Sequence, residues 1–217
     1  TAAQAETLDD ELASLGSMFF EPVWLFYRDD SARRLGKAQR LTHLTSLGQL
    51  TDWRVNVGAP GSGMPPLMNQ LLDANRVAPA SLKLSQLALT PAVVEFLEGR
   101  LDALVMASAP ESPMVQMLLQ TPGVRLFDVA QAEAYSRRFP FMSPVTLPRG
   151  VVDLSRDLPP QDVHLVAQTP VLLPRQPLHP APVQSSVQAA TQVHGAPGWF
   201  QRKGEFPNAR NTEWPIA

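Results

Sequence analysis

The sequence predicts an α/β fold, and two patterns carry that prediction. Between residues 53 and 138, apolar runs of strand length alternate with stretches in which apolar residues recur at helical spacing. The run Leu101–Ala107 is almost uninterrupted in its apolar character, which is typical of a strand covered on both faces, as in a parallel sheet. The order of strand, helix, strand and helix therefore indicates βαβ units that build one α/β lobe.

The first of these units begins with a predicted strand at Trp53–Val57. A glycine-rich segment, Gly58–Gly63, follows it, and we call this segment the first turn. Pro65 and Pro66 suit the N-terminal residues of a helix, where backbone N–H groups have no partner within the helix. The apolar residues that follow, up to Leu72, recur at helical spacing and predict that helix.

The remainder of this lobe continues the alternation of strands and helices. Thr90 followed by Pro91 predicts the N-cap and the first position of a helix that ends at Gly99. The other predicted elements are strands at Ser81–Leu84, Leu101–Ala107 and Val124–Val129, and helices at Pro113–Gln120 and Ala130–Arg138.

The sequence after residue 139 is less regular, and more than half of the 22 prolines lie there. Its periodicity predicts few elements, and its last residues indicate a segment that lies across the surface. The predicted features are turns at Ser143–Gly150 and Pro159–Pro160, strands at Val163–Thr169 and Pro170–Leu173, a helix at Val183–His194 that is ended by Gly195, and a tail without periodicity at Gly198–Ala217.

The composition excludes several kinds of chemistry. The chain has no cysteine, which rules out a thiol nucleophile, a disulfide framework and an iron–sulfur cluster. A formal net charge of −2 offers no basic surface for a nucleic acid. We therefore expect no cofactor and no nucleic-acid partner. The four histidines are also scattered without the spacing of metal ligands: His43, His164, His179 and His194.

No catalytic set of residues is recognisable. Gly61-Ser62-Gly63 is too short for the Gly-x-Ser-x-Gly turn that presents a nucleophilic serine. Asp102, Glu111 and Asp128 are isolated acids, which we interpret as helix caps or exposed ends rather than general acids. We expect no catalytic residue in this chain.

The first turn is the strongest local signal for a binding site. Backbone N–H groups at the start of a helix bind anions together with the helix dipole. Gly61 and Gly63 allow a ligand to approach the main chain closely, and Ser62 adds a hydroxyl donor. Met64 stands where a nucleotide-binding loop carries its lysine, and Pro66 where a dinucleotide-binding turn carries its third glycine. The turn favours a carboxylate or a neutral polar ligand; the alternative is an ordinary connection between strand and helix.

A second turn, Ser108–Pro113, follows the strand Leu101–Ala107 in the same way. In open α/β sheets, ligands bind beyond the carboxyl ends of the strands, so the two turns are expected to face a common cleft. Ser108 and Ser112 are candidate donors to a ligand. N-capping of the following helix is the alternative role for these hydroxyls, and it is the one that the sequence favours.

Glu21 precedes a stretch rich in aromatic residues, Val23–Arg28. A carboxylate beside Trp24 and Tyr27 could bind the amine of a ligand or pair with an arginine. The alternative is that these aromatic residues fill a strand that is buried against helices.

An ordered series of short motifs resembles a family of transport receptors. The series runs from Leu15–Arg28 through Val55–Gly63, Phe96–Ala103 and Leu147–Val151 to Gly204–Pro207. It resembles the TAXI family of solute receptors of TRAP transporters, from about residue 12 to residue 210. That family has the type II periplasmic-binding-protein fold with two lobes, which the resemblance implies for this protein.

The resemblance also implies a division of the chain. Residues 22–138 are expected to form a complete three-layer α/β lobe. Residues 1–21 and 139–217 are expected to supply crossover segments and part of the other lobe, the N-terminal part of which is expected to be missing. Glu21–Arg28 would be the first crossover strand between the lobes.

The function that the resemblance implies is capture of a small organic solute, such as an amino acid or another carboxylate. The expected partners are that solute and the TRAP membrane permease, and the expected location is the periplasm, with or without a membrane anchor. Ser62-Gly63 corresponds to the family's serine–glycine turn, and Met64 stands where the family commonly has threonine. A ligand-sensing scaffold and an enzyme on the same two-lobe fold are the alternative functions.

Overall fold

The computed structural model describes residues 14–35, 42–173 and 180–208. Its strands are β1 (Glu21–Arg28), β2 (Arg54–Asn56), β3 (Lys83–Ser85), β4 (Ala103–Ala107), β5 (Val124–Leu126), β6 (Met142–Leu147) and β7 (Val163–Gln168). Its α-helices are α1 (Asp29–Leu35), α2 (Met64–Ala74), α3 (Leu89–Leu97), α4 (Pro113–Gln120), α5 (Ala132–Arg138) and α6 (Pro180–His194).

The seven strands form one mixed sheet in the order β3-β2-β4-β1-β7-β6, with β5 also paired to β1. β2 runs parallel to both β3 and β4, as expected for βαβ units. β1 runs antiparallel to β4 and therefore begins at the edge where β2 and β4 end. The carboxyl ends of β2 and β4 and the start of β1 thus lie along the same edge of the sheet.

β1 connects the two parts of the sheet. Its first residues, Glu21 and Pro22, pair with β7, whereas Val23–Tyr27 pair with β4 on the other side. Residues Phe26–Arg28 also pair with β5. Every residue of β1 therefore has a neighbouring strand, and the run from Pro22 to Tyr27 is entirely buried.

Helices cover both faces of the sheet, which gives three layers. On one face, Val23 and Leu25 of β1 pack in a cluster with the apolar side of α2. On the other face, Trp24 and Phe26 pack with α3 and α4. Successive side chains of a strand point to opposite faces, so a continuously apolar strand can fill both clusters. The predicted α/β class is confirmed.

The structure corrects the prediction for Ser143–Gly150, where turns were expected. Residues 142–147 form β6, which pairs antiparallel with β7 along its full length. β6 lies at the end of the sheet order, and an edge strand tolerates a proline such as Pro144 because one side of its backbone has no strand partner. Val145 and Leu147 are buried on one face of this strand. Because of the proline, this alternation of buried and exposed residues was not recognised as a strand in the sequence.

Two further boundaries differ from the prediction. Pro170–Leu173 is not a strand; Val171 makes a single bridge to Ser17, which also bridges Asn208. Thr90 is not an N-cap, because α3 already begins at Leu89, after Ala88. Neither difference changes the order of the sheet.

The described part of the C-terminal segment follows α6, which ends at His194 as predicted. A β-carbon at Gly195 would lie 2.4 Å from the carbonyl oxygen of Thr191, so only glycine fits this close approach. Phe206 is buried, and Asn208 joins the bridge to Ser17. The tail is therefore anchored at this point. The predicted tail beyond residue 208, the predicted N-terminal segment up to residue 13 and His179 lie outside the described residues.

Within the residues that the structure describes, no helix combines the length and the apolar character that are needed to cross a membrane. The same residues contain no group of three or more histidine and acidic side chains that could hold a metal ion. His164 instead contacts Asp128, with its Nδ1 3.0 Å from Oδ1.

Candidate functional site

Both candidate turns and Glu21 lie at one edge of the sheet. β2 and β4 are parallel neighbours, and the first and second turns follow their carboxyl ends. The backbone N–H of Ser108 donates to the carbonyl oxygen of Pro22 at 3.3 Å, which joins the second turn to the start of β1. This is the edge at which ligands bind in open α/β sheets.

The first turn contains main-chain N–H groups without an acceptor among the described residues. Gly61 and Gly63 have φ angles of 79° and 75°, and Gly63 is the N-cap of α2. Both the N–H and the hydroxyl of Ser62 donate to the carbonyl oxygen of Ala59, at 3.1 and 2.7 Å. Ser62 therefore braces the turn, and the N–H groups of Gly63 and Met64 have no acceptor among the described residues.

Met64 contributes to this site through its backbone alone. Its side chain is buried and packs in the same cluster as Leu67 and Leu71 of α2. Pro65 and Pro66 have no N–H group. The backbone donors that remain at the start of α2 are therefore those of Gly63 and Met64.

The second turn leaves its two hydroxyls free. Ser112 occupies the N-cap position of α4, but its side chain makes no capping hydrogen bond. Neither the hydroxyl of Ser108 nor that of Ser112 has a partner among the described residues, and both serines are half-buried. The side-chain amide of Gln116 donates to the carbonyl oxygen of Pro110 at 2.6 Å and braces the turn. Capping by these hydroxyls is therefore not what the structure shows.

Trp24 lies beneath the second turn. Its indole is fully buried, and its Nε1–H donates to the carbonyl oxygen of Ser108 at 2.9 Å. The ring stacks on Phe26 with 6.0 Å between centroids and meets Phe200 edge-on at 5.9 Å. Trp24 thus supports the position of Ser108 from inside the core.

Glu21 does not lie beside both aromatic residues, contrary to the sequence interpretation. Strand alternation places Trp24 in one apolar cluster and Tyr27 in the other, six residues along β1 from Glu21. The carboxylate of Glu21 is half-buried and has no hydrogen-bond or ion-pair partner among the described residues. Burial raises its pKa above the ordinary value of 4.5. It is not paired with an arginine, so it remains open to a ligand amine.

A cleft of about 210 Å³ adjoins the second turn. Phe19 and Phe20, the turn residues Ala109–Glu111 and the segment between Val193 and Gln201 line it. This cleft was not predicted from the sequence, because its walls come from three segments that are far apart in the chain. The aromatic pairs Phe19–Phe20 and Trp199–Phe200 were the available signal.

The role of Asn56 was also not predicted from the sequence. It ends β2 and is 1% exposed, and its Oδ1 accepts hydrogen bonds from the backbone of Leu87 at 2.7 Å and from the Ser85 hydroxyl at 3.2 Å. Its Nδ2 donates to the carbonyl oxygen of Leu87 at 3.3 Å. Asn56 therefore ties the strand that leads into the first turn to the loop after β3.

Replacing Asn56 by alanine is expected to lower the free energy of unfolding by about 2 kcal/mol, because it leaves the Leu87 backbone groups without their partners. Urea denaturation measures this change. Asn69→Ala, at an exposed position of α2, is the matched control and is expected to change stability by less than about 0.5 kcal/mol. Equal losses in the two variants would contradict the role given to Asn56.

The model of one protein family, described as the NMT1-like family, matches residues 34–184 of this chain. No protein with a curated description matches the sequence.

Several solved structures also resemble the chain. One is an ABC transporter periplasmic binding protein from Brucella ovis with glutathione bound, at 13% identity and a TM-score of 0.45, over 76% of this chain and 37% of that one. The periplasmic aliphatic sulphonate-binding protein SsuA from Escherichia coli gives 14% identity and a TM-score of 0.45, over 88% of this chain and 47% of that one. The amino acid ABC transporter substrate-binding protein AbpA from Streptococcus pneumoniae, bound to L-arginine, gives 12% identity and a TM-score of 0.42, over 87% of this chain and 57% of that one. The chain thus spans between 37% and 57% of the length of these proteins.

Proposed function

The chain belongs to the NMT1-like family, and from this premise we propose that it is a receptor for a small, carboxylate-bearing organic solute. One observation carries the proposal. The two turns at one edge of the sheet offer backbone N–H groups at Gly63 and Met64 and hydroxyls at Ser108 and Ser112, and these four donors have no partner among the described residues.

The donors suit an anion rather than a metal or a cation. A carboxylate accepts hydrogen bonds from N–H and O–H groups, and the positive end of the α2 dipole favours it further. The half-buried Glu21 lies at the same edge and would bind an amine of the same solute. An amino acid satisfies both kinds of group.

The partner and location follow from the resemblance of the motif series to TAXI receptors. The receptor would present its solute to a TRAP permease in the periplasm. Residues 22–138 would form one lobe, and residues 1–21 and 139–217 would supply crossover segments and part of the other, with closure of the lobes about the solute by hinge motion. β1, which pairs with β4 and β7, is the segment on which such a hinge would turn.

A thermal-shift screen of this chain tests the proposal. L-Glutamate, succinate and glycine are the probes, and glucose and glycerol are the neutral controls. A bound solute raises the free energy of unfolding by RT ln(1 + [L]/Kd), or about 2.7 kcal/mol at about a hundred times Kd. Shifts with the carboxylates alone support the proposal, and shifts with the neutral controls alone contradict it. Mass spectrometry of the recovered solute should find it unchanged, since we propose no turnover.

The double variant Ser108→Ala/Ser112→Ala is expected to weaken binding of the best carboxylate about thirtyfold, because two hydrogen bonds of about 1 kcal/mol each are lost. The melting temperature without ligand should not change, since these hydroxyls bind nothing in the described part of the folded chain. Isothermal titration calorimetry measures the affinity. Ser136→Ala, which removes a hydroxyl on α5 that donates to the carbonyl oxygen of Glu133, is the control. Unchanged affinity in the double variant would remove the second turn from the site.

A further inference from the structure

The cleft beside the second turn has aromatic walls. Phe19, Phe20, Trp199 and Phe200 line it, and all four residues are half-buried. One face of Phe19 is covered by the ring of His194, with 5.1 Å between centroids. Trp199 is half-buried against the apolar cluster that contains Trp24 and Phe26, and the part of its indole that lines the cleft is available to an occupant.

One carboxylate, that of Glu111, and one imidazole, that of His194, line this cleft. Glu111 is its single acidic lining residue, and no lysine or arginine of the described residues lines it. The carboxylate of Glu111 reaches toward the opposite wall, since its Oε1 would lie 3.7 Å from a β-carbon built at Gly198. It makes no ion pair within the described residues.

We propose that this cleft is a binding site for a small organic cation, held by the aromatic rings of its walls and by the carboxylate of Glu111. Aromatic rings attract a cation through the negative potential of their faces, and an unpaired carboxylate adds a direct charge. The volume of about 210 Å³ lies below the range of roughly 300–1,000 Å³ found for drug-sized ligands, so the occupant is small. A methylated or primary ammonium group on a short carbon chain has the required charge and size.

Ala109–Glu111 belong to the second turn, so the cation site adjoins the proposed carboxylate site. That the bound cation is part of the transported solute rests on the proposed function. A solute whose carboxylate lies on the turns and whose amine lies at Glu21 would place a second ammonium group in the cleft. A probe that carries the cation alone therefore tests the cleft separately from the carboxylate site.

Calorimetric titration of this chain with choline is the test. The comparison ligand is 3,3-dimethylbutan-1-ol, which has the same shape but a carbon atom in place of the charged nitrogen. We expect choline to bind about tenfold more tightly than the alcohol, since the alcohol lacks the charge that the rings and Glu111 attract. Equal binding of the two ligands, or no binding of either, would overturn the proposal.

Two variants locate the effect. Glu111→Gln keeps the shape of the exposed side chain and is expected to lose most of the preference for choline, whereas Glu98→Gln, an exposed control at the end of α3, keeps it. Trp199→Leu is expected to weaken choline binding about fivefold by removing the aromatic wall. A preference that survives Glu111→Gln contradicts the assignment of the carboxylate. Ser108→Ala/Ser112→Ala should leave choline binding intact, so that a failure of the carboxylate site and a failure of the cation site give different results.

Discussion

Replacing Trp24 by alanine is expected to lower the free energy of unfolding by about 4 kcal/mol. The indole is fully buried between the sheet and its helices, where it contacts Phe26 and Phe200. Removing it leaves a cavity that a close-packed core cannot fill by relaxation. Urea denaturation followed by circular dichroism measures the loss.

Trp24→Phe separates the two roles of this residue. Phenylalanine keeps most of the buried ring but removes the Nε1 donor, which leaves the carbonyl oxygen of Ser108 without its hydrogen bond. We expect a loss of about 1.5 kcal/mol together with weaker solute binding, because the second turn is no longer fixed. Leu154→Ala, at a side chain that is 87% exposed, is the control and should be nearly neutral. Solute affinity that is unchanged in Trp24→Phe would limit Trp24 to packing.

Replacing Asp102 by asparagine is expected to lower the free energy of unfolding by about 3 kcal/mol. Asp102 precedes β4 and is 1% exposed. Its carboxylate accepts hydrogen bonds from the backbone and the guanidinium of Arg54 at 2.8–2.9 Å, from Arg34 at 2.6 Å and from the Ser31 hydroxyl at 2.7 Å. The variant leaves two arginines without their shared counter-charge, although both remain partly in water, which limits the cost.

The effect of Asp102 on stability should depend on pH. Burial raises the pKa of this carboxyl, but the hydrogen bonds from Arg54 and Ser31 outweigh burial and lower the pKa from 3.8 to about 2. Because the folded chain binds the proton less readily than the unfolded chain does, the stabilisation is complete above pH 3.8 and is lost as the pH falls through about 2. The corresponding linkage is about 2 kcal/mol.

Urea denaturation of the wild type and of Asp102→Asn between pH 7 and pH 2 measures this dependence. The difference in stability between them should shrink below pH 3.8. Asp73→Asn, at an exposed position of α2, should differ little from the wild type at any pH. A difference that stays constant down to pH 2 would show that the charge of Asp102 is not what stabilises the fold.

Much of the fold could be predicted from the sequence, because the signals there are local. The two apolar faces of Leu101–Ala107 required helices on both sides, and the sheet has them. The prolines at 65 and 66 and the glycines of the first turn placed the start of α2 to within a residue. β6 could not be predicted in the same way, since Pro144 is tolerated only because the strand lies at an edge.

The candidate site was predicted in part. Two strand-to-helix turns were expected at one edge, and the parallel pairing of β2 and β4 places both there. The roles of individual side chains were not predictable, because they depend on neighbours that are distant in sequence. Asp102 was interpreted as a cap or an exposed end, yet Arg34 and Arg54 bury it; Trp24 was a candidate ligand contact, yet it supports Ser108 from the core.

Periodicity, the placement of glycine and proline, and the absence of cysteine are local properties of the chain. They were enough to predict the α/β class and the positions of the two turns and to exclude thiol chemistry. The packing of distant segments sets which donors remain free among the described residues. It also makes Asn56 and Asp102 hold the strands and forms the aromatic cleft beside Glu111. The cleft, for example, forms where Phe19–Phe20 and Trp199–Phe200 come together, and no local pattern encodes a contact between segments so far apart in the chain.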